Sequence, residues 1–139
     1  MDGPQGPAPL MGFSHVSLSV RDRDRSERWY CDVLGFETFE HLDEGDYREA
    51  ILLHRASGTI LCVQQHHANE GEEFDPRRTG GDHVAFRVGR RADLGAWKRR
   101  LEDLGVTHSD VADREYGSVL CFKDPDRIQL ELFYRDDHP

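Results

Sequence analysis

Three side chains in predicted strands are of the types that bind a divalent metal ion together. Two of them, His15 and His83, occur in similar segments, residues 13–20 and 81–88, which alternate apolar and polar residues. A period of two is typical of a half-buried strand. We expect the polar face of each segment to line a cavity and the apolar face to be covered by a helix.

Glu131 is the third candidate ligand. It lies between Leu130 and Leu132 in the last alternating segment, so its side chain belongs to the polar face. A carboxylate buried there is costly unless it is paired or bound to a cation. Two imidazoles and one carboxylate form the common 2-His-1-carboxylate set for a divalent metal with open positions. The alternative is that the histidines are hydrogen-bonded structural residues and the glutamate is exposed.

A repeat in the sequence supports treating the two histidines as equivalent. One offset of 68 residues relates several pairs along the chain: His15 and His83, Val16 and Val84, Val20 and Val88, and Trp29 and Trp97. The pair Leu34-Gly35 recurs as Leu104-Gly105 at an offset of 70. Matches in this order at a nearly fixed spacing indicate an internal duplication.

Each copy has the pattern of a βαβββ module. We predict a helix that begins at Asp24, with Glu27 completing a capping box, and that ends at Gly35. The second helix is predicted over residues 93–104. The six remaining predicted strands lie at residues 36–41, 47–54, 59–65, 106–112, 118–123 and 128–134. The modules are therefore assigned to residues 12–66 and 81–135, with a linker at 67–80.

Composition restricts the class of protein. The 139 residues, 37% hydrophobic and 32% charged, suit one domain or two small fused modules. A net charge of −9 argues against nucleic acid or an anionic membrane as a partner. Residues 1–11 and 136–139 are expected to be tails, the first disordered and without the apolar region of a signal peptide. Three widely spaced cysteines favour reduced thiols in a cytoplasmic protein.

The chain resembles the vicinal oxygen chelate superfamily, which comprises glyoxalases, bleomycin resistance proteins and extradiol dioxygenases. The matching motifs extend over residues 12–134: His15-Val16, Asp22, Trp29-Tyr30, Leu34-Gly35-Phe36, Asp82-His83-Val84-Ala85-Phe86, Leu104-Gly105, Asp124-Pro125-Asp126 and Gln129-Leu130-Glu131-Leu132. The resemblance implies an α+β fold of two βαβββ modules, with eight strands curled around a metal cavity and helices on the outer face.

The resemblance also implies His15, His83 and Glu131 as ligands of a divalent ion, with Fe, Mn, Ni and Zn undistinguished. It implies a homodimer in which modules pair within one chain or by exchange between chains. Many relatives take a fourth ligand, often Glu or Gln, from the fourth strand. When residues 61–63 are matched to residues 130–132, Cys62 occupies the position equivalent to Glu131, and Gln64 is the next residue on the same face. Neither is the glutamate of a glyoxalase I pattern.

Three functions are open at this point. The first is a metal-dependent lyase, isomerase or epimerase that stabilises an enolate or oxyanion of a small oxygen-rich molecule. The second is a small ring-cleaving or extradiol-type dioxygenase. The third is a non-enzymatic drug-binding or resistance protein, which retention of the ligand set disfavours. No catalytic base is evident from the sequence. The candidate substrate-binding residues are Ser17, Cys62, Gln64, Arg87 and Gln129.

Overall fold

The computed structural model describes residue 3 and residues 6–139, and places two βαβββ modules in chain order. Part of the predicted N-terminal tail, residues 1, 2, 4 and 5, lies outside the described residues. The first module has β1 (Val16–Ser19), α1 (Arg23–Leu34), β2 (Glu37–Glu44), β3 (Tyr47–His54) and β4 (Thr59–His66). The second has β5 (His83–Arg87), α2 (Arg91–Asp103), β6 (Ala112–Arg114), β7 (Gly117–Lys123) and β8 (Gln129–Tyr134).

Each module forms one four-stranded sheet with the same strand order. The orders are β1-β4-β3-β2 and β5-β8-β7-β6, so β1 and β5 are edge strands. The edge strands β1 and β5 each run parallel to their neighbour, and all other neighbouring pairs are antiparallel. The predicted α+β fold class and the duplication of one topology are therefore confirmed.

The ends of α1 show one correct and one wrong local prediction. Gly35 ends the helix at φ 80°, a left-handed conformation that favours glycine. The N-cap is Asp22, whose side chain accepts from the Arg25 backbone N–H, and not Asp24. Glu27 does not complete a capping box, because its Oε2 instead accepts from Thr38 Oγ1 and contacts His41 Nε2.

The predicted strand over residues 106–112 is also largely wrong. Only Ala112–Arg114 forms β6, and His108 makes an isolated bridge to Phe122. The Ser109 hydroxyl accepts from the Cys121 backbone N–H, while the Ser109 backbone N–H donates to the Cys121 carbonyl. A serine side chain that takes over a strand's backbone N–H interrupts regular pairing.

The two modules share one hydrophobic core. Both sheets contribute the apolar face of their central strands to it, and α1 and α2 lie on those faces. Rings meet across the modules at 6.2 Å between Trp29 and Phe122 and at 6.1 Å between Phe36 and Phe86. Because both apolar faces turn inward, the two polar faces turn outward. Within one chain the eight strands thus form two separate four-stranded sheets, and neither sheet closes into a barrel.

A buried polar contact also joins the modules. Asp124 and Asp126, in the turn between β7 and β8, are 5% and 2% exposed. The Tyr30 hydroxyl of α1 donates to Asp124 Oδ2 at 2.8 Å. Arg21 Nε donates to Asp126 Oδ1 at 2.8 Å, and the Ser26 hydroxyl contacts its other oxygen at 3.3 Å. The turn is consequently held rigidly against the first module.

Candidate metal centre

His83 and Glu131 come together on the outward, polar face of the second sheet. The register pairs Ala85 with Glu131 and His83 with Gln129, so these side chains share one face of neighbouring parallel strands. His83 Nε2 lies 3.6 Å from Glu131 Oε2. Two ligand atoms on one ion with bonds of about 2.1 Å are separated by roughly 3.0–3.4 Å, so the observed spacing is close to a metal-binding one.

A carboxylate orients the His83 ring. Asp82 Oδ1 lies 2.8 Å from His83 Nδ1, and since a carboxylate accepts, that nitrogen carries the hydrogen. In the neutral ring the lone pair is then on Nε2, which faces Glu131. Two acceptor atoms in this position repel each other unless a proton or a metal ion lies between them. An outer carboxylate that fixes a histidine tautomer is typical of metal sites.

Glu131 is also positioned by its neighbours. Gln129 Nε2 donates to Glu131 Oε1 at 2.8 Å, which leaves Oε2 directed at His83. Cys121, opposite Glu131 on β7, places its Sγ 3.7 Å from Oε1. Burial, with a further contribution from the Glu131 charge, raises the pKa of the Cys121 thiol, so it is a neutral donor here. Alternation did not predict this contact, since it depends on the β7–β8 register.

His15 is not part of this cluster within one chain. It immediately precedes β1, is exposed, and its Nδ1 lies 2.9 Å from the Ser14 hydroxyl. Among the residues that the structure describes, no group of three or more His, Cys, Asp or Glu side chains is placed to hold a metal ion. The physical reason is that His15 belongs to the first sheet and Glu131 to the second, and these two sheets pack through their apolar faces into one core.

The position equivalent to Glu131 in the first module is Cys62. Ser17 pairs with Cys62 as Ala85 pairs with Glu131. Cys62 is 3% exposed, and burial raises the pKa of its thiol, so it is a poor anionic ligand as it stands. Gln64 lies beyond it, paired with Ser19 and Glu49 on the same face.

The remaining substrate-binding candidates divide between the two sheets. Ser17, Cys62 and Gln64 share the outer face of the first sheet, where Ser17 is exposed, Gln64 is half-buried and Cys62 is buried. Arg87 and Gln129 lie on the outer face of the second sheet, beside Glu131. A ligand that touches all five would therefore have to reach residues of both sheets.

The outer faces differ in charge. By register, the first sheet's face carries Glu40, Glu44 and Glu49. The second sheet's face carries Arg87, Lys123 and Arg114. None of these six side chains forms an ion pair within the described part of the chain. The two faces are electrostatically complementary.

Comparison with known proteins agrees with this architecture. A crystal structure of a glyoxylase/bleomycin resistance protein/dioxygenase domain from Frankia sp. EAN1pec superposes with a TM-score of 0.85 and 32% identity. The match covers 94% of this chain and 96% of the Frankia chain.

Relatives in sequence include proteins named for different reactions. Glyoxylase I 4 of Arabidopsis thaliana is 28% identical over 96% of this chain and 76% of its own length. A putative ring-cleaving dioxygenase, MhqA, of Bacillus subtilis is 27% identical over 87% of this chain. The chain spans only 39% of the length of that dioxygenase.

None of the described helices is both long and apolar enough to cross a membrane. The model of the Glyoxalase/Bleomycin resistance protein/Dioxygenase superfamily matches residues 12–132, and this protein belongs to that superfamily.

Proposed function

We propose that this protein is a divalent-metal-dependent enzyme acting on a small oxygen-rich molecule, as a lyase, isomerase or epimerase. The observation that carries the proposal is the facing pair of His83 Nε2 and Glu131 Oε2, with Asp82 behind the imidazole. A superfamily fold solved with Mn(II), that of a fosfomycin resistance protein from Listeria monocytogenes, supports a metal here. A bound ion would supply positive charge for an enolate or oxyanion of the substrate.

The chain's own residues have defined roles in this proposal. Asp82 fixes the ring and tautomer of His83, and Gln129 holds one oxygen of Glu131 so that the other faces the site. Burial keeps the Cys121 thiol protonated beside Glu131. An extradiol-type dioxygenase is the second candidate, favoured because two histidines and one carboxylate leave coordination positions open for two oxygen ligands.

We further propose that His15 is supplied by a second copy of the chain. In a symmetric homodimer, the acidic outer face of one first sheet would lie against the basic outer face of the partner's second sheet. Each of the two resulting cavities would then contain the histidine from one chain and the His83–Glu131 pair from the other. The charge complementarity of the faces and the separation of the ligands within one chain both support this arrangement.

Mixing two defective variants tests this proposal. His15→Ala and Glu131→Gln are each expected to lose tight metal binding, whether a site is shared or not. In a mixed dimer with shared sites, one site carries both substitutions and the other is entirely wild type. Unfolding and refolding the variants together should therefore restore about one metal ion per mixed dimer, read by elemental analysis after gel filtration.

The outcomes are distinct. If every site lies within one chain, the mixture binds no more metal than the separate variants, and the shared site is wrong. A wild-type protein that is monomeric by sedimentation would contradict the dimer. A wild-type protein that binds none of Mn²⁺, Fe²⁺, Ni²⁺ and Zn²⁺ would contradict the metal-dependent enzyme.

The three unpaired cysteines also support a reducing, cytoplasmic location.

A further inference from the structure

Arg127 has a left-handed backbone conformation, which favours glycine. It lies in the tight turn between β7 and β8, where its N–H donates to the Asp124 carbonyl at 3.0 Å. Its φ of 67° makes it the one non-glycine residue with positive φ in the described part of the chain. Side chains with a Cβ are strained in this left-handed region, and glycine is not.

The turn cannot relax to relieve this strain. The Asp124 carboxylate accepts from the backbone N–H groups of Asp126 and Ile128, each at 2.9 Å. The same turn is held against α1 by Tyr30 and against the preceding loop by Arg21. Strained residues in surroundings this rigid occur most often at functional sites.

The Arg127 side chain lines a pocket next to the candidate metal centre. This pocket, of about 500 Å³, lies between β7 and residues 106–109. Lys123 shares its wall with Arg127, and Gln129 and Cys121, the two neighbours of Glu131, form the side towards the metal centre. The pocket and Glu131 are therefore separated only by side chains that touch both.

The charges around the pocket favour an anion. Lys123 has no ion-pair partner among the residues that the structure describes. Arg127 has only a 3.6 Å contact with Glu73, in which both side chains are more than half exposed. Both ring nitrogens of His108, which also lines the pocket, already have partners. Nδ1 contacts the Ser109 carbonyl, and Nε2 contacts Glu102 Oε1. Within one chain, the Lys123 ammonium has no ion-pair partner among the described residues and the Arg127 guanidinium has only the exposed contact with Glu73, although the net charge of the chain is −9.

We propose that Lys123 and Arg127 bind an anionic oxygen-bearing group, a carboxylate or a phosphate, on the small molecule whose other end reaches Glu131. This inference rests on the proposed function for the substrate as a whole, but the anion pocket is testable without it. It identifies the substrate class as oxygen-rich molecules that carry a second, negatively charged group. Guanidinium and ammonium groups are the usual partners of both anions.

The test is titration of metal-free protein, in excess chelator, with inorganic phosphate and with acetate at constant ionic strength. The dissociation constant is read by calorimetry and the unfolding temperature by calorimetric scanning. Loss of a hydrogen bond to a charged group should weaken binding about tenfold or more in Arg127→Gly and in Lys123→Gln. The preferred probe, phosphate or acetate, identifies which anion the pocket suits.

Arg127→Gly has an unusual expected signature. It should bind the anion less tightly and yet unfold at an equal or higher temperature, because glycine removes the left-handed strain. Arg99→Gln, an exposed arginine on α2 without an ion pair in the described chain, is the matched control and should change neither quantity. Anion binding that is unaffected in Arg127→Gly, or weakened equally in Arg99→Gln, would overturn the inference.

Failure here is distinguishable from failure of the metal centre. Glu131→Gln should keep phosphate or acetate affinity in chelator, and Arg127→Gly should keep wild-type metal content. A wild-type protein that binds metal but neither anion overturns the pocket alone. Anion binding that disappears in Glu131→Gln would contradict a pocket formed by Lys123 and Arg127.

Discussion

At the scale of single residues, consecutive residues of β8 lie in different environments. Glu131 lies on the outer face beside His83, whereas Leu130 and Leu132 are buried in the shared core at 0% and 2% exposure. The proposed metal ligand and two core residues are thus adjacent in the chain, and substitution can separate their effects. Cys62 and Glu131 occupy equivalent positions in the two modules, but only the glutamate carries a negative charge.

Glu131→Gln should therefore affect metal binding and not the apo fold. The metal-free variant is expected to unfold at about the wild-type temperature, since volume and core are unchanged. Added Mn²⁺, Fe²⁺, Ni²⁺ or Zn²⁺ should stabilise wild type by about 2.7 kcal/mol at a hundredfold excess over the dissociation constant, and the variant much less. Leu130→Ala is the control, with an expected loss of about 2–5 kcal/mol in metal-free protein. An equal metal-induced shift in Glu131→Gln would show that Glu131 is structural.

At the scale of elements, the start of β7 depends on a residue without a side chain. Gly117 has φ 147°, and a Cβ there would lie 2.5 Å from the Tyr134 carbonyl oxygen of β8 and 2.6 Å from the Phe133 ring. The Phe133 ring in turn stacks on Tyr116, with centroids 6.3 Å apart. The β7–β8 pairing that aligns Cys121 with Glu131 therefore begins at a position restricted to glycine.

Gly117→Ala should destabilise the protein by roughly 2 kcal/mol or more, because overpacking alone costs about 1–3 kcal/mol and unfavourable φ adds to it. Gly45→Ala is the matched control, since nothing lies within 4 Å of a Cβ there. Its free energy of unfolding should stay within about 0.5 kcal/mol of wild type. Urea unfolding of both variants measures the difference, and equal stabilities would show that β8 moves to accommodate the methyl group.

At the scale of the whole molecule, a buried carboxylate connects the modules. Burial raises the pKa of Asp124, while the bonds from Tyr30 and from the backbone N–H groups act in the opposite direction. A carboxyl group whose folded-state pKa is raised contributes most to stability below its unfolded pKa. That contribution is lost as pH rises through the folded value. The bond from Tyr30 limits this loss at neutral pH.

Tyr30→Phe should consequently destabilise the protein more at pH 7 than at pH 4. Without the hydroxyl, the ionised Asp124 loses a donor and its pKa rises further, at an expected cost of about 1–3 kcal/mol at pH 7. Urea unfolding of wild type and variant at both pH values measures the difference. Tyr134→Phe, whose hydroxyl contacts Asp136 at the surface, should show little change at either pH. A pH-independent cost in Tyr30→Phe would mean that Asp124 keeps the same charge at both pH values, which contradicts this prediction.

The sequence by itself determined the modules and the faces of their strands. Period-two alternation at His15, His83 and Glu131 follows from the pleat of a strand and needs no knowledge of distant contacts. The 68-residue offset predicted that both modules have one topology, and the sheets confirm it. Gly35 ended α1 as predicted because a left-handed cap is a local requirement.

Only the tertiary structure decided how these faces are arranged. Alternation states that His15 and Glu131 are each on a polar face, but these faces belong to two separate sheets that pack through their apolar sides into one core. The contacts of Glu131 with Cys121 and of Tyr30 with Asp124 depend on strand register and module packing, which join residues 10 and 94 positions apart. The strain at Arg127 likewise arises from a turn fixed by buried partners in the other module, so no local pattern predicted it.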